Sequence, residues 1–315
     1  MSVPGMPLRG TTRAIIPGTP TMTDSLPAIG CAGAGTLGAA IMQRLIECGH
    51  PLLVWNRSPA RLAPLIAAGA TAVDTPAELA RGADFVITCV TDGEAVEASV
   101  FGDEGIAAAG GPDKLLIDMS TIAAAHTREL SARLKAQCAM AWLDAPISGG
   151  APAALAGRMA VMVGGEQADY ERAQPVWDAL AARATLMGDS GAGQTTKMIN
   201  QVLVACGFAV LAEACALAER AGVDPARIPG ALAGGRADSR LLQEFMPKMA
   251  ASDFSMTGSI GVILKDLHMI SDLARASGAA MPLTSLVEEL NRKLVLDGMA
   301  DKDTSEMVRL YRARA

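Results

Sequence analysis

The sequence predicts a chain of two parts, an α/β part built on a parallel sheet and an all-helical part, joined by one long helix. Between Leu26 and residue 190, short apolar runs alternate with longer amphipathic stretches, as a parallel sheet covered by helices requires. After Gly193 the strand patterns stop and helical periodicity continues. With 315 residues, the chain is long enough for two domains, each with its own core.

The first elements of the α/β part form a βαβ unit. Residues 28–32 are the predicted first strand, residues 33–49 contain a glycine turn and an amphipathic helix, and residues 51–55 are the second strand. A second helix is expected over residues 61–68. Further strands are predicted at short apolar runs closed by turn residues, which are 85–90, 115–118, 142–144 and 159–163.

The all-helical part opens with a long predicted helix over residues 195–220, which contains no proline and ends at the stop signal Ala221-Gly222. Its middle, residues 202–212, is an uninterrupted apolar run that is too short to span a bilayer. A helix that is apolar on all sides is buried between domains or between subunits. We therefore expect no membrane span and a homo-oligomer, a dimer or tetramer, with residues 226–312 completing the helical domain.

The composition argues against several functional classes. A net charge of −6 and an aromatic content of 3% leave no basic, aromatic-rich surface for nucleic acid. The six cysteines lack metal-ligand spacing and the three histidines lie far apart, so we expect a reduced, cytoplasmic compartment and no metal site. Residues 1–25 are rich in Pro, Gly and Thr without the apolar core of a secretory signal, which predicts a flexible leader.

A glycine motif follows the first predicted strand. Gly33, Gly35 and Gly38 have the spacing G-x-G-x-x-G at a strand-to-helix turn. The first glycine permits the tight turn, the second lets the backbone approach a pyrophosphate, and the third lets the helix pack on the strand. Inside a complete βαβ unit, the motif favours dinucleotide binding over a turn without ligand, and it predicts a Rossmann-type NAD(P)-binding domain over residues 26–190. The predicted pyrophosphate loop comprises Gly33, Ala34, Gly35, Thr36, Leu37 and Gly38.

The end of the second predicted strand indicates which dinucleotide is bound. NAD-binding domains normally have Asp or Glu here to bind the ribose 2′-hydroxyl, whereas this chain has Asn56, Arg57 and Ser58. A guanidinium and a hydroxyl can bind a 2′-phosphate, which a carboxylate would repel. We therefore expect NADP, with NAD as the alternative if Arg57 is only a solvated loop charge.

Several sequence blocks occur in order along the chain, namely GCAGAGTLG, LLIDMSTI, DAPISGGAPAALAGRMAVMVGG and GAGQTTKMINQ. They continue into LKDLHMISDLA and the C-terminal PLTSLVEELNRKLVLDGMADKDTS. In this order the blocks resemble the β-hydroxyacid dehydrogenases over residues 26–310. The ordered set is far more specific than any single block.

The resemblance implies that Lys197 is the catalytic residue, which exchanges a proton with the substrate oxygen. Residues 191–193 introduce the long helix, so Lys197 should lie in or just after its first turn, where the helix dipole tends to lower the pKa of an amine. Asn200 and Gln201 share its helical face and can hold the amine and the substrate. Relatives that act on 3-hydroxyisobutyrate usually have Asn at the position of Gln201, so the role of Gln201 stays open.

The resemblance also assigns a substrate loop and cofactor contacts. Thr121 corresponds to a position that contacts both the nicotinamide and the substrate, and Lys265 to one that contacts the nicotinamide. The alternatives are a helix cap for Thr121 and an ion pair with Asp266 for Lys265. The substrate loop, for which a plain turn is the alternative, is Ser148, Gly149 and Gly150. From topology, the cofactor edge includes Val90, Thr91 and Asp92.

The expected activity is that of an NADP(H)-dependent oxidoreductase that interconverts a small 3-oxo carboxylate and its 3-hydroxy form. The pattern K-x-x-N-Q that begins at Lys197 is typical of family members that reduce tartronate semialdehyde (2-hydroxy-3-oxopropionate) to glycerate. The alternative substrates are 3-hydroxyisobutyrate, succinic semialdehyde or glyoxylate, and L-threonate, since small changes in a pocket redirect substrate choice. A non-catalytic NADP-binding module would have no chemical need for Lys197 beside a substrate loop. The substrate site and the oligomer contacts are expected in the helical domain, residues 191–315.

Overall fold

The fold was obtained as a computed structural model that describes residues 26–312. The predicted leader, residues 1–25, lies outside the described residues. The strands are β1 (Ile29–Ala32), β2 (Leu52–Trp55), β3 (Thr71–Ala72), β4 (Phe85–Thr88), β5 (Leu115–Asp118), β6 (Ala141–Asp144), β7 (Ile147–Ser148), β8 (Met159–Gly164) and β9 (Ala181–Gly188). The helices are α1 (Thr36–Glu47), α2 (Ala63–Ala67), α3 (Pro76–Gly82), α4 (Gly93–Phe101), α5 (Ala124–Cys138), α6 (Gly150–Leu155), α7 (Gln167–Arg172), α8 (Gln174–Leu180), α9 (Ala192–Arg220), α10 (Ile228–Leu232), α11 (Arg240–Ala251), α12 (Ile260–Ser277) and α13 (Pro282–Leu296).

All strands belong to one sheet, with the order β3-β2-β1-β4-β5-β6-β8-β7 and with β9 paired to β8. The six neighbouring strands β3, β2, β1, β4, β5 and β6 are parallel, so their carboxyl ends meet at one edge. β8 runs antiparallel to β6 and β7 and parallel to β9. The chain order reverses between β1 and β4, which is where open parallel sheets bind their ligands. The predicted Rossmann-type sheet followed by helices is confirmed.

Two apolar layers cover the sheet, because successive residues of a strand point to opposite faces. On one face, Ile29 of β1 and Ile87 of β4 belong to the same buried cluster as Ile41 of α1. On the other face, Val86 of β4 and Leu116 of β5 belong to a second cluster. Because β1, β4 and β5 are buried along their whole length, they occur in the sequence as continuous apolar runs.

The helical part has its own core around α9. Phe208 of α9 makes an edge-to-face contact with Phe245 of α11, with ring centroids 4.6 Å apart. Leu267 of α12 and Val287 of α13 belong to the same cluster. Among residues 26–312, α9 is the one helix whose length and composition would suit a membrane span. Its contacts with α11, α12 and α13 make it the central helix of this bundle.

The long helix begins earlier than the sequence predicts, at Ala192 instead of residue 195. The carboxylate of Asp144 accepts hydrogen bonds from the backbone amides of Gly191, the N-cap, and Gln194 in the first turn. Residues 191–193, which the sequence analysis places at the introduction of the long helix, provide its N-cap and its first two residues.

Other boundaries also differ from prediction. The strand predicted over residues 85–90 ends at Thr88, because the amide of Val90 donates to the Ser120 hydroxyl instead of to a neighbouring strand. The helix predicted over residues 61–68 is a 3₁₀ turn followed by the short α2. The sequence analysis missed β3 and β7, which have two residues each, and β9, whose mostly exposed side chains show no regular alternation.

We predict that Gly38→Ala destabilises the fold by about 1–3 kcal/mol, because a Cβ atom on Gly38 would overlap the carbonyl oxygen of Gly33. Gly35→Ala is the matched control, since no atom lies within 4 Å of a Cβ placed there. That variant should unfold within about 1 kcal/mol of the parent. Urea unfolding of the three proteins measures both effects, and equal stability of the Gly38 variant and the parent would contradict this account of the packing.

Candidate active site

The glycine loop between β1 and α1 fits a pyrophosphate. Gly33 has a φ of +103°, which a side chain would disfavour, and it turns the chain from the strand into the helix. A side chain at Gly35 would meet no described atom within 4 Å, so a ligand can approach the backbone there, whereas Gly38 packs directly against the carbonyl of Gly33. No side chain caps the start of α1 and its first turn holds no acidic residue, so the amides and the positive end of the helix can receive an anion.

The residues after β2 have different surroundings. Both ends of the Asn56 amide are engaged, because Oδ1 accepts from the amide of Ala34 (2.9 Å) and Nδ2 donates to the carbonyl of Ser58 (2.9 Å). Asn56 therefore braces the glycine loop. Arg57 and Ser58 have exposed side chains at the carboxyl edge of the sheet.

Lys265 of α12 links the helical part to two loops at the same edge. Its ammonium donates to the carbonyl of Thr121 after β5 (3.1 Å) and lies 3.5 Å from the carbonyl of Thr91 after β4. Thr121 does not cap a helix, since the cap of α5 is Ala123. The ion pair of Lys265 with Asp266 is present as well, at 3.3 Å. Lys265 thus bridges the helical part and the loops after β4 and β5. These loops border the crevice at the switch point, which is the place between β1 and β4 where the chain order of the strands reverses.

The other residues of the cofactor edge have structural contacts. The Asp92 carboxylate caps α4 by accepting from the amide of Ala95 (2.9 Å). It also accepts from the hydroxyl of Thr91 (3.0 Å). Val90 is half-buried beside Ser120.

Lys197 lies in the second turn of α9, within a hydrogen-bonded cluster. Its ammonium donates to Gln201 Oε1 (3.1 Å), and Asn200 Nδ2 donates to the same oxygen (2.8 Å). Gln201 Nε2 in turn donates to Asp266 Oδ2 (2.6 Å). The structure therefore brings together Lys197, Asn200 and Gln201, as their helical spacing predicts. It adds Asp266, which the sequence analysis considered only as a partner of Lys265.

Burial lowers the pKa of Lys197, which favours proton exchange nearer to neutral pH. Loss of hydration is the largest cause; the negative charge of Asp266 raises this pKa again, and the positive charge of Lys265 lowers it. The sequence analysis expected the same direction from the helix dipole. The structure assigns the main effect to burial instead, because the amine is enclosed between α9 and α12.

The start of α9 is joined to the sheet by buried polar groups. Besides the Asp144 cap, the side chain of Gln194 accepts from the amide of Ile122 (3.2 Å) and donates to the carbonyl of Ser120 (2.8 Å). Gly193 allows the helix to approach β8, since a Cβ there would overlap the carbonyl of Met162. These contacts hold the amine of Lys197 in a fixed relation to the carboxyl edge.

The predicted substrate loop is next to this junction. Ser148 of β7 pairs with Ala160 of β8. Ala160 is two residues along β8, or about 7 Å, from Met162, whose carbonyl contacts α9 at Gly193. Gly149 and Gly150 have φ values of +121° and +64°. These conformations favour glycine and lead into α6. Within the described part of the chain, the Ser148 hydroxyl makes no hydrogen bond.

Asp118, at the end of β5, was not predicted as a site residue. Its Oδ1 accepts from the Thr88 hydroxyl (2.8 Å) and the Ser120 amide (3.0 Å), whereas its Oδ2 is buried and has no hydrogen-bond partner among the described residues. Burial raises the pKa of Asp118 to about 6, the hydrogen bonds from Ser120 and Thr88 lower it, and the charge of Asp144 raises it further. The Asp118 carboxyl therefore anchors the loop that contains Ser120 at the carboxyl edge of the sheet.

These features define a class of protein. A glycine loop at the switch point and a buried amine in the helix that follows the sheet are the parts of a nicotinamide-dependent oxidoreductase. Residues 28–188 match the NAD binding domain of 6-phosphogluconate dehydrogenase, and residues 191–311 match the NAD-binding domain of NADP-dependent 3-hydroxyisobutyrate dehydrogenase. The chain belongs to the β-hydroxyacid dehydrogenase family, as its sequence blocks predict.

Individual relatives match along almost their whole length. The 2-hydroxy-3-oxopropionate reductase of Escherichia coli is 34% identical over 89% of this chain and 95% of its own. The structure of Mycobacterium tuberculosis 3-hydroxyisobutyrate dehydrogenase with L-serine is 31% identical, with a TM-score of 0.83, over 91% of this chain and 100% of that one. Psf3 in complex with NADP+ and 2-OPP is 25% identical, with a TM-score of 0.82, over 90% and 100%.

We predict that stability depends on pH through Asp118. Its pKa is raised in the folded state, so its contribution to stability is complete below its ordinary value of 3.8 and is lost as the pH rises through about 6. Relative to Asp118→Asn, the parent should lose about 2 kcal/mol between about pH 4.5 and pH 7.5. Urea unfolding of both proteins at the two pH values measures this change. A stability difference that does not vary with pH would contradict it.

Proposed function

We propose that this enzyme is an NADPH-dependent reductase of tartronate semialdehyde, which it converts to glycerate. The observation that carries the proposal is the buried amine of Lys197, hydrogen-bonded to Gln201. Gln201 in turn binds Asp266, whose neighbour Lys265 contacts the loop after β5 at the carboxyl edge of the sheet. The likeness to the Escherichia coli reductase supports the choice of substrate. An NADPH oxidation assay with a panel of C3 and C4 semialdehydes tests it, and tartronate semialdehyde should give the highest kcat/KM.

In the proposed mechanism, bound NADPH supplies the hydride that reaches the carbonyl carbon. Lys197, in its ammonium form, donates a proton to the carbonyl oxygen, and in the reverse direction the neutral amine accepts it. Burial lowers the pKa of Lys197, which favours release of this proton. Burial between α9 and α12 keeps water from competing for this proton.

The substrate carboxylate is assigned to the loop of Ser148, Gly149 and Gly150. Gly149 and Gly150 are exposed, so their backbone amides can reach a carboxylate, and the hydroxyl of Ser148 adds a donor. Asn200 and Thr121 complete the proposed substrate contacts from α9 and from the loop after β5. The substrate would then lie between the helical part and the sheet.

A second candidate substrate is a 3-hydroxy acid of the serine or 3-hydroxyisobutyrate type. The Mycobacterium tuberculosis relative, a 3-hydroxyisobutyrate dehydrogenase with L-serine, has nearly the same fold. Including L-serine, 3-hydroxyisobutyrate and L-threonate in the oxidative assay with NADP+ distinguishes these substrates. A larger kcat/KM for one of them would replace tartronate semialdehyde.

We also propose two domains, residues 26–190 for the cofactor and 191–315 for substrate and self-association, and a cytoplasmic location. Separate apolar clusters in the sheet and in the helical bundle support the division. The six free cysteines are consistent with a reducing compartment. Self-association is supported by exposed apolar side chains along α9, which are Ile199, Leu203, Val210 and Leu217.

We predict that Lys197→Met lowers kcat by about 10²–10⁴-fold, because it removes the proton donor while retaining most of the side-chain volume. NADPH affinity, measured by the fluorescence of the bound cofactor, should stay close to that of the parent. Lys293→Met, at an exposed lysine on α13, is the control and should keep full activity. A Lys197 variant that retains a tenth of the parent rate would refute the assignment.

We predict a preference for NADPH over NADH of about tenfold or more, because a charge-assisted hydrogen bond to phosphate contributes about 1.5–3 kcal/mol. Arg57→Ala should raise the KM for NADPH and leave the KM for NADH nearly unchanged. Arg275→Ala, at an exposed arginine of α12, is the control and should change neither constant. If the parent uses both cofactors equally, or if the Arg57 variant weakens both alike, Arg57 does not bind the 2′-phosphate.

We predict that the protein is a dimer or tetramer at micromolar concentration, as measured by light scattering. Leu203→Lys with Leu217→Lys should lower the mass, because both side chains are 69% exposed and would place charges on the apolar stripe of α9. Ile66→Lys, at an exposed apolar residue of α2, should leave the mass unchanged. A monomeric parent protein would disprove self-association.

A further inference from the structure

Asp266 of α12 is a buried carboxylate beside the proposed active site, with only 2% of its surface exposed. Oδ2 accepts from Gln201 Nε2, whereas Oδ1 accepts no hydrogen bond from residues 26–312 although the Lys265 ammonium lies 3.3 Å away. Burying a carboxylate with so few partners is unfavourable. Its location therefore points to a role other than packing.

The contact with Asp266 determines how the Gln201 amide is oriented. A carboxylate can only accept hydrogen bonds, so Gln201 must present its NH2 group to Asp266. The carbonyl oxygen of Gln201 consequently faces the other way, where it accepts from Lys197 and Asn200. The flipped amide would occupy the same volume but would place its NH2 group against these two donors.

The orientation of Gln201 in turn aims the Lys197 amine. Because Gln201 Oε1 can only accept, it holds one N–H of Lys197 in both protonation states of the amine. The lone pair of the neutral amine, or the proton that the ammonium gives up, must then point away from Gln201. Only this face of the nitrogen is available for proton exchange with a substrate.

The charge of Asp266 also acts on the amine. It raises the pKa of Lys197, which burial and the charge of Lys265 lower. On the sheet side, the charged groups that face the start of α9 are Asp144, bound to backbone amides of its first turn, and Arg128 of α5, which lies beside Gly191. Asp266 is therefore the acidic group of the helical part that offsets the loss of hydration.

We propose that Asp266 is a positioning residue that fixes the Gln201 amide in one orientation, aims the Lys197 amine through it, and stabilises the ammonium form by its negative charge. The inference rests on the proposed role of Lys197 in proton exchange.

The test compares Asp266→Asn with the double variant Asp266→Asn, Gln201→Glu. The single variant removes the charge and lets the Gln201 amide flip, because the introduced amide can both donate and accept. We expect kcat to fall about tenfold or more with an unchanged KM for NADPH. The pKa of the catalytic acid, read from the pH profile of kcat, should fall by about one pH unit.

In the double variant the introduced amide donates to the introduced carboxylate, which again presents an acceptor and a charge to Lys197. We expect kcat to recover several-fold, whereas a merely structural role predicts further loss.

A second measurement needs no turnover. Acylation of the full-length protein by acetic anhydride across pH, followed by proteolysis and mass spectrometry of the peptide that contains Lys197, reports the titration of the amine. Its midpoint should fall by about one pH unit in Asp266→Asn and return in the double variant. Asp272→Asn, at an exposed carboxylate on the same helix, should change neither readout.

The outcomes separate the two proposals. A parent-like kcat and an unchanged Lys197 titration in Asp266→Asn would overturn the positioning role, as would a double variant without recovery in either measurement. If the single variant does not fold, the titration and kcat of the double variant decide. A shift of the Lys197 titration in a protein that reduces none of the semialdehydes would instead support the effect of Asp266 and refute the proposed function.

Discussion

The structure depends on the contact between the carboxylate of Asp144 and the start of α9. Asp144 ends β6, and its two oxygens accept from the amides of Gly191 and Gln194. One side chain thus binds two backbone amides at the start of the longest helix and attaches that helix to the carboxyl edge of the sheet. Because the interaction is buried, its geometry is strict, and Gly193 and Gly164 provide the space that it needs.

The proposed chemistry is built outward from this junction. Lys197 lies one turn beyond it, and Gln194 joins the same turn to the loop after β5. From the opposite side, Lys265 and Asp266 of α12 reach toward the crevice, one to loop carbonyls and the other to Gln201. The sheet sets the position of the helix that carries Lys197, and Asp266 in the helical bundle sets the orientation of Gln201, which binds the amine.

Local patterns in the sequence predicted the parts whose causes are local. The glycine spacing, the buried strands and the shared face of Lys197 and Gln201 follow from the geometry of one turn, strand or helix. The contacts that tune the site join residues far apart in the chain, 47 positions for Asp144 with Gly191 and 65 for Gln201 with Asp266. No periodicity encodes them, which is why the start of α9, the cause of the lowered pKa of Lys197 and the position of Asp266 had to come from the structure.

The length of α9 has a mechanical consequence. A helix of 29 residues is a rod of about 43 Å, and the amine is mounted near one end of it. The far end is held by the C-terminal residues, since Arg312 pairs with Glu219 and Arg220 donates to the carbonyl of Tyr311. Proton transfer is sensitive to displacements of about 1 Å. Under the proposed role of Lys197, packing at the far end of α9, about 40 Å from its start, contributes to the position of the amine.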